Sequence, residues 1–212
     1  MDAIILFGGK GTRMESELPK ALVPVKGKSI ISYSIDYLLT SKHINKIILA
    51  LGYKSEMVMD YIKKNYPEDK ILFSTEHEPL GTGGAVRKAM LLSGSDFLLV
   101  QNGDDITNIN LEELSKKKEN TICVANCRLP FGRITEKNGY ALFEEKPMLT
   151  DWVSCGWYLF NRKELLSLLS EKCSLEYDVF PKIKLRVHYH KGTWLTFNSK
   201  KDIQEFEAKE IK

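Results

Sequence analysis

Three groups of residues in this chain have the types and spacing to handle phosphate. The first is Gly8-Gly9-Lys10-Gly11-Thr12-Arg13, whose glycines permit unusual backbone angles and let several N–H groups converge on one anion. The second is Lys20, carried in Leu18-Pro19-Lys20-Ala21-Leu22-Val23-Pro24-Val25, which with Arg13 sets two cations beside the glycine loop. The third is Asn102-Gly103-Asp104-Asp105, a pair of carboxylates after an apolar run. Magnesium takes hard oxygens, tolerates few protein ligands and draws the rest from water and phosphate, so such a pair could seat it. The two best-known phosphate fingerprints both fail. The dinucleotide pattern G-x-G-x-x-G begun at Gly9 meets Met14 where its last glycine belongs, and the nucleoside-triphosphatase pattern tested at Gly27-Lys28-Ser29 meets Leu22 where its first belongs. Gly27-Lys28 is therefore read as a turn.

A fourth segment, Glu78-Pro79-Leu80-Gly81-Thr82-Gly83-Gly84-Ala85, leads from a strand region into a helix, where small residues would let a flat ligand lie against backbone near a helix N-terminus. The alternative is a glycine-rich helix start that serves close packing. Nucleophilic catalysis has little support, with no G-x-S-x-G elbow and no Cys–His pairing visible. His43, His77, His188 and His190 form no metal constellation, and His188 and His190 would point to one face of a strand as polar positions.

The elements that must position these groups alternate. Ala3–Phe7, Lys46–Leu51, Ile71–Ser74 and Phe97–Gln101 read as strands, and Ile30–Leu39, Ser55–Lys64 and Thr82–Leu92 as helices between them. Runs such as Ile47-Ile48-Leu49-Ala50-Leu51 are apolar on consecutive residues, which suits strands covered on both faces in a mostly parallel sheet. Ligands then belong at the strands' carboxyl ends, where the glycine loop and Asp104 both fall. After Asp105 the pattern loosens into Thr121–Cys127, Arg133–Thr135, Tyr140–Phe143 and Ser154–Phe160, read as antiparallel strands added to one edge in the C-terminal half. Asn161 is expected to cap a helix Arg162–Ser170, and Ser199 a terminal helix Lys200–Lys209.

Composition narrows the classes. A chain of 212 residues, 43% hydrophobic and 28% charged, has globular proportions, and 31 basic against 28 acidic residues leave a net charge of +3. The basic residues are scattered, which disfavours nucleic acid while admitting a compact phosphate ligand. No apolar run reaches the ~18 residues of a membrane span, and the first strand lacks the features of a signal peptide, so a cytoplasmic location without membrane partners is expected. Cys123, Cys127, Cys155 and Cys173 have neither redox nor zinc spacing and read as buried or partly buried thiols.

Taken together, the opening loop and the lysine between prolines resemble the nucleoside-diphosphate-sugar pyrophosphorylases, whose start reads approximately G-G-x-G-T-R followed by P-K-P/A-L-x-P-V-x-G-K-P-I. Met1 to Ile31 matches nearly throughout, with Phe7 in place of the usual alanine and Ser29 in place of the usual proline. The resemblance implies an α/β, Rossmann-like three-layer sandwich in one catalytic domain over residues 1–212, with a nucleotide-binding half (1–105) and a sugar-binding half (106–212); the C-terminal β-helix that many relatives carry is not expected, since residues 200–212 leave no room for one. It also implies transfer of a nucleotidyl group from a nucleoside triphosphate to a sugar 1-phosphate with release of pyrophosphate. The segment from Pro79 looks most like enzymes that move guanylyl groups to mannose or heptose 1-phosphate.

Carried over by position, the resemblance makes Arg13, Lys20 and Asp104 catalytic, with Asp104 holding Mg2+ and Asp105 less certain in that role. Gly8, Gly9, Gly11, Thr12, Arg13, Pro79, Gly81, Thr82 and Gly103 would bind the nucleotide. Gly132, Glu145, Lys146, Ser154, Gly156 and Glu176 would meet the sugar phosphate, through matches to the family's E-K-P, N-A-G-I-Y-L-F and S-x-E-x-D-V-F segments. Ser154 stands where the family usually has asparagine. Thr196, within Gly192-Thr193-Trp194-Leu195-Thr196, falls on the family's second metal-binding aspartate and is a far poorer magnesium ligand. Two alternatives follow: a nucleotide- or sugar-nucleotide-binding regulator with little or no turnover, or cytidylyl, uridylyl or thymidylyl transfer to another phosphate acceptor such as phosphocholine. A symmetric homodimer is the default expectation for oligomeric state.

Overall fold

The computed structural model describes residues 1–208. In chain order it contains β1 (Asp2–Phe7), a small hairpin of β2 (Pro24–Val25) and β3 (Lys28–Ser29), α1 (Ile30–Leu39), β4 (Ile47–Leu51), α2 (Ser55–Asn65), β5 (Ile71–Thr75), α3 (Gly81–Met90) and β6 (Phe97–Asn102). Then come β7 (Asp105–Thr107), α4 (Leu111–Ser115), β8 (Thr121–Arg128), β9 (Arg133–Lys137), β10 (Tyr140–Glu144), β11 (Met148–Asn161), α5 (Arg162–Leu168), β12 (Arg186–Tyr189), β13 (Trp194–Thr196) and α6 (Lys200–Glu207). The expected last helix position, Lys209, lies outside the described residues.

Seven strands form the central sheet in the order β12-β8-β11-β6-β1-β4-β5. The strands β6, β1, β4 and β5 run parallel; β11 is antiparallel to both neighbours, and β12 pairs in parallel with β8 at the edge. Consecutive apolar residues are explained by the two faces. On β1, Ala3, Ile5 and Phe7 join a core with α1 and α2, whereas Ile4 faces a second core containing Val86 of α3 and Leu165 of α5. The longer helices bury a stripe at helical spacing, as Val58 and Ile62 do on α2 and Ile31, Ile35 and Leu38 on α1. Lys63 and Lys64 in that helix's last turn suit its negative dipole end.

The chain runs outward from β1 through β4 to β5, then returns to place β6 on the other side of β1. The reversal opens a crevice between the carboxyl ends of β1 and β6, where α/β sheets bind ligands. In register, Leu6 pairs with Asn102, and Phe7, Leu51 and Thr75 lie in one row. Gly8, Gly52, Glu76 and Gly103 therefore all leave the sheet along one edge.

The later half holds more differences from expectation. The last of the expected antiparallel strands begins at Met148 rather than Ser154, and its register against β8 shifts twice, once across Cys155 to Trp157. Gly156 sits in that shift with φ 73. The short strands β7 and β13 pair with each other outside the main sheet and bring Thr196 directly opposite Asp105. The turn at Lys26-Gly27 has positive φ at both residues, as a two-residue hairpin requires. Asn161 and Ser199 cap their helices as expected, Ser199 within a capping box with Asp202, although α5 stops at Leu168. His188 and His190 are buried: His188 Nδ1 lies 3.3 Å from the Glu113 carboxylate, and His190 Nε2 lies 3.0 Å from both Thr107 Oγ1 and the Thr193 carbonyl. Among the described residues no helix is long and apolar enough to cross a membrane.

Candidate active site

A cleft of about 570 Å3 opens at the carboxyl edge of the parallel strands. Gly8, Gly9, Pro79, Gly81, Thr82 and Asp104 line it. Gly9 has open space where a side chain would grow, so its backbone is accessible from the cleft. Gly8 is packed instead: a Cβ there would lie 2.5 Å from Oε1 of Glu76, and its carbonyl accepts the amide of Tyr53 at 3.2 Å. Gly11 adopts φ 61, ψ 38 at the start of a turn over Thr12–Met14, and its missing side chain leaves room for the stem of Lys20, whose Cβ would be 2.8 Å away. The glycine loop thus lets Lys20 pass beneath it to Asp104, with which its ammonium forms an ion pair. Arg13 is exposed and has no ion-pair or hydrogen-bond partner among the described residues, leaving it free for an incoming anion.

Gly103 lies behind the cleft rather than in it. Its amide donates to the Leu6 carbonyl at 3.0 Å, and a Cβ there would collide with the Phe7 ring. The departure at Phe7 is thereby explained, because the aromatic ring occupies the space that glycine leaves at 103.

Asp104 and Asp105 have different surroundings. Asp104 is part-exposed beside Lys20. Asp105 is buried; its Oδ1 accepts from Trp194 Nε1 at 3.0 Å, and Thr196 and Asn102 also bond to its carboxylate. Burial, reinforced by the charge of Asp104, pushes its carboxyl up to about 7 despite these donors. Asp105 is a strut joining β7, β13 and the Gly156 shift, where a Cβ would strike its carboxylate. Thr196 is equally committed: its hydroxyl bonds to Asp105 and accepts from Asn198 Nδ2 at 2.9 Å. Among the described residues no cluster of three or more His, Cys, Asp or Glu side chains could hold a metal alone. Of Asp104, Asp105 and Thr196, Asp104 alone offers an accessible carboxylate, which fits Mg2+ where phosphate oxygens and water complete the shell.

The expected sugar residues are distributed in three places, and none lines the cleft. Glu176 comes nearest, accepting from the Thr82 hydroxyl at 2.7 Å. Ser154 and Gly156 lie together behind Asp105, with the Ser154 hydroxyl 3.0 Å from that of Tyr158. Gly132, Glu145 and Lys146 belong to the β9–β10 hairpin region, where a Cβ on Gly132 would approach the Phe143 ring and Glu145. Lys146 pairs at 3.3 Å with Glu205 of α6, so its amine is engaged away from the cleft.

Sequence reading missed Glu76. It follows β5 directly, half-buried in the cleft wall, and its Oε2 accepts the Leu80 amide at 3.4 Å. Burial raises its pKa above the ordinary glutamate value, opposed by the Leu80 amide and by Lys88. The signal was positional, since a polar residue just past a parallel strand next to the switch crevice faces the ligand.

The Nucleotidyl transferase family profile matches residues 2–189. The chain belongs to that family. Two nucleotidyl transferases similar to it are D-glycero-alpha-D-manno-heptose 1-phosphate guanylyltransferases. The one from Aneurinibacillus thermoaerophilus is 33% identical over 204 residues, covering 90% of this chain and 88% of the relative. The one from Campylobacter jejuni is 33% identical over 200 residues, covering 88% and 89%. The crystal structure of HddC from Yersinia pseudotuberculosis superposes with a TM-score of 0.76 at 27% identity, covering 97% of this chain and 99% of that one.

Proposed function

We propose that this nucleotidyl transferase moves a guanylyl group from GTP to the phosphate of a manno-configured sugar or heptose 1-phosphate, releasing pyrophosphate. The observation that carries the base is Glu76. An ionised carboxylate only accepts hydrogen bonds, and among the common bases guanine alone presents two adjacent donors, N1–H and the N2 amino group, on its pairing edge. The similarity to heptose 1-phosphate guanylyltransferases supports the same base and the acceptor class.

In this reading the sugar phosphate oxygen attacks the α-phosphorus in line with departing pyrophosphate, and no covalent enzyme intermediate forms. The chain's work is to hold two polyanions together and to meet the charge that develops. Gly8, Gly9 and Gly11 offer backbone donors to the phosphates. Lys20, neutralised by Asp104 before substrates arrive, exchanges that partner for a phosphate oxygen, and the unpartnered Arg13 meets the leaving pyrophosphate. Mg2+ held by Asp104 would act as a Lewis acid on the phosphate oxygens. Glu176 accepts from sugar hydroxyls.

A second reading, a binding protein without turnover, draws on the hydroxyl of Thr196, which is already committed to Asp105 and Asn198. One experiment separates the two: pyrophosphate release with Mg2+, crossing GTP, CTP, UTP, dTTP and ATP against mannose, glucose and heptose 1-phosphates. Release confined to GTP with a mannose or heptose acceptor is the expected result. Shifts in melting temperature with nucleotide but no release from any pair would establish the second reading.

A further inference from the structure

The Gly81–Gly84 segment faces two ways. Gly81 and Thr82 line the cleft, yet the space their neighbours leave empty belongs to another part of the chain. A Cβ on Gly81 would lie 2.5 Å from the Cys173 carbonyl, one on Gly83 would lie 2.6 Å from the Cys173 thiol, and one on Gly84 would strike the Glu171 carbonyl. These glycines admit the strap 171–176 onto the start of α3. The strap is bonded there in both directions: Gly83 and Gly84 donate to the Cys173 carbonyl at 2.9 and 3.2 Å, and the Cys173 amide donates to Leu80 at 3.1 Å. Lys172 adds an ion pair with Glu78 at 2.7 Å.

At the end of the strap the Thr82 hydroxyl is used twice. It donates to Glu176 Oε2 at 2.7 Å and accepts the Leu175 amide at 2.8 Å. Ser174 donates to the same carboxylate oxygen at 2.7 Å. Glu176 Oε2 is therefore occupied by two hydroxyls, while Oε1 has no partner among the described residues and the side chain is exposed.

We propose that Thr82 is a positioning residue that couples the nucleotide cleft to the sugar acceptor: its backbone borders the nucleotide while its hydroxyl fixes Glu176, so that each substrate tightens the site for the other. The inference rests on the proposed sugar-phosphate acceptor. A ligand seated against Gly81 and Thr82 restrains the start of α3, and through the hydroxyl restrains the carboxylate that receives sugar hydroxyls. Such coupling is reciprocal in binding free energy. Ordering Glu176 beforehand also removes part of the entropy otherwise lost when the sugar binds.

The test is a binding cycle on the wild type, Thr82→Val and Thr82→Ser. Valine keeps the shape and removes both hydrogen bonds, whereas serine keeps the hydroxyl. Titration calorimetry measures mannose or heptose 1-phosphate binding with and without a non-hydrolysable GTP analogue, and steady-state assays separate KM from kcat. In the wild type the analogue should tighten the sugar phosphate several-fold. In Thr82→Val that factor should fall towards one, sugar-phosphate affinity should drop at least fivefold more than nucleotide affinity, and Thr82→Ser should restore both. An unchanged coupling factor in Thr82→Val, equal losses for both ligands, or a serine variant that behaves like valine would overturn the proposal. If the wild type binds nucleotide and no sugar phosphate, the proposed acceptor is wrong. The coupling is then decided by hydrogen exchange at the Leu175 amide, which the analogue should protect in the wild type and not in Thr82→Val; no protection in the wild type overturns it.

Discussion

The first 105 residues and the β9–β10 hairpin are built on opposite terms. In the parallel sheet every residue of β4 is buried, whereas β10 is exposed at every position and β9 is exposed at all but one. Around the cleft, each loop is fastened to the next: Gly8 to Tyr53, Gly103 to Leu6, Lys20 to Asp104. Among the described residues the hairpin pairs only with itself in the sheet pattern, and an isolated two-stranded ribbon is marginal in water. Lys20 and Asp104, proposed to face developing charge, sit on the fastened side while Arg13 is exposed, and part of the expected contacts to the acceptor falls on the exposed hairpin.

The comparison is broken most directly at Lys20. In the proposed reaction Lys20→Ala would remove a cation from the reacting phosphates, and it leaves Asp104 without its ion pair, so turnover should fall by about 100- to 1,000-fold, in the range found for lost transition-state donors. A stopped pyrophosphate assay measures this, and near-normal kcat would show that the fastened loops do not carry the chemistry.

Glu76→Gln sharpens it. An amide presents a donor where the carboxylate presents none, so preference for GTP over ATP should shrink by about ten- to a hundredfold, the worth of one paired contact to a base edge. Since burial raises the Glu76 pKa, the wild type should lose GTP affinity as pH falls through that raised value, and hold it above. Calorimetric Kd values across pH should show this loss at higher pH than an exposed glutamate would give, and Glu76→Gln should lack that component of the profile.

The smallest effect belongs to the hairpin. Tyr140→Ser and Leu142→Ser replace side chains that are 77% and 50% exposed, and each should change stability by no more than about 0.5 kcal/mol. Thermal melts that drop by many degrees would show that a partner surface covers this ribbon in solution.

The same division decides what the sequence could reveal. Strands β1, β4 and β6 announce themselves because burial on both faces demands uninterrupted apolar runs, and a cap such as Asn161 is a local hydrogen bond that local sequence encodes. Close packing was one of two readings for Gly81, Gly83 and Gly84, but what they pack against was hidden, because the strap they accommodate lies some ninety positions further along. Their composition equally suits a flat ligand, so only three-dimensional contact distinguishes the two uses. The pairing of β7 with β13 was hidden for the same reason, and with it the burial that turns Asp105 from a candidate ion ligand into a strut. The resemblance aligned Thr196 with a metal-binding aspartate, whereas its place opposite Asp105 and its commitment to Asn198 and Asp105 became visible only in three dimensions.

The Phe7 ring lying where a Cβ at Gly103 would go sets a direction on how this site can change. A larger residue at 103 is barred while the ring is present, but shortening Phe7 to alanine first would vacate the space and make the second change admissible. The two positions, nearly a hundred residues apart, behave as a lock with a fixed order of opening, and a library that randomises Gly103 alone would miss the variants that this corner behind the cleft admits once Phe7 is shortened.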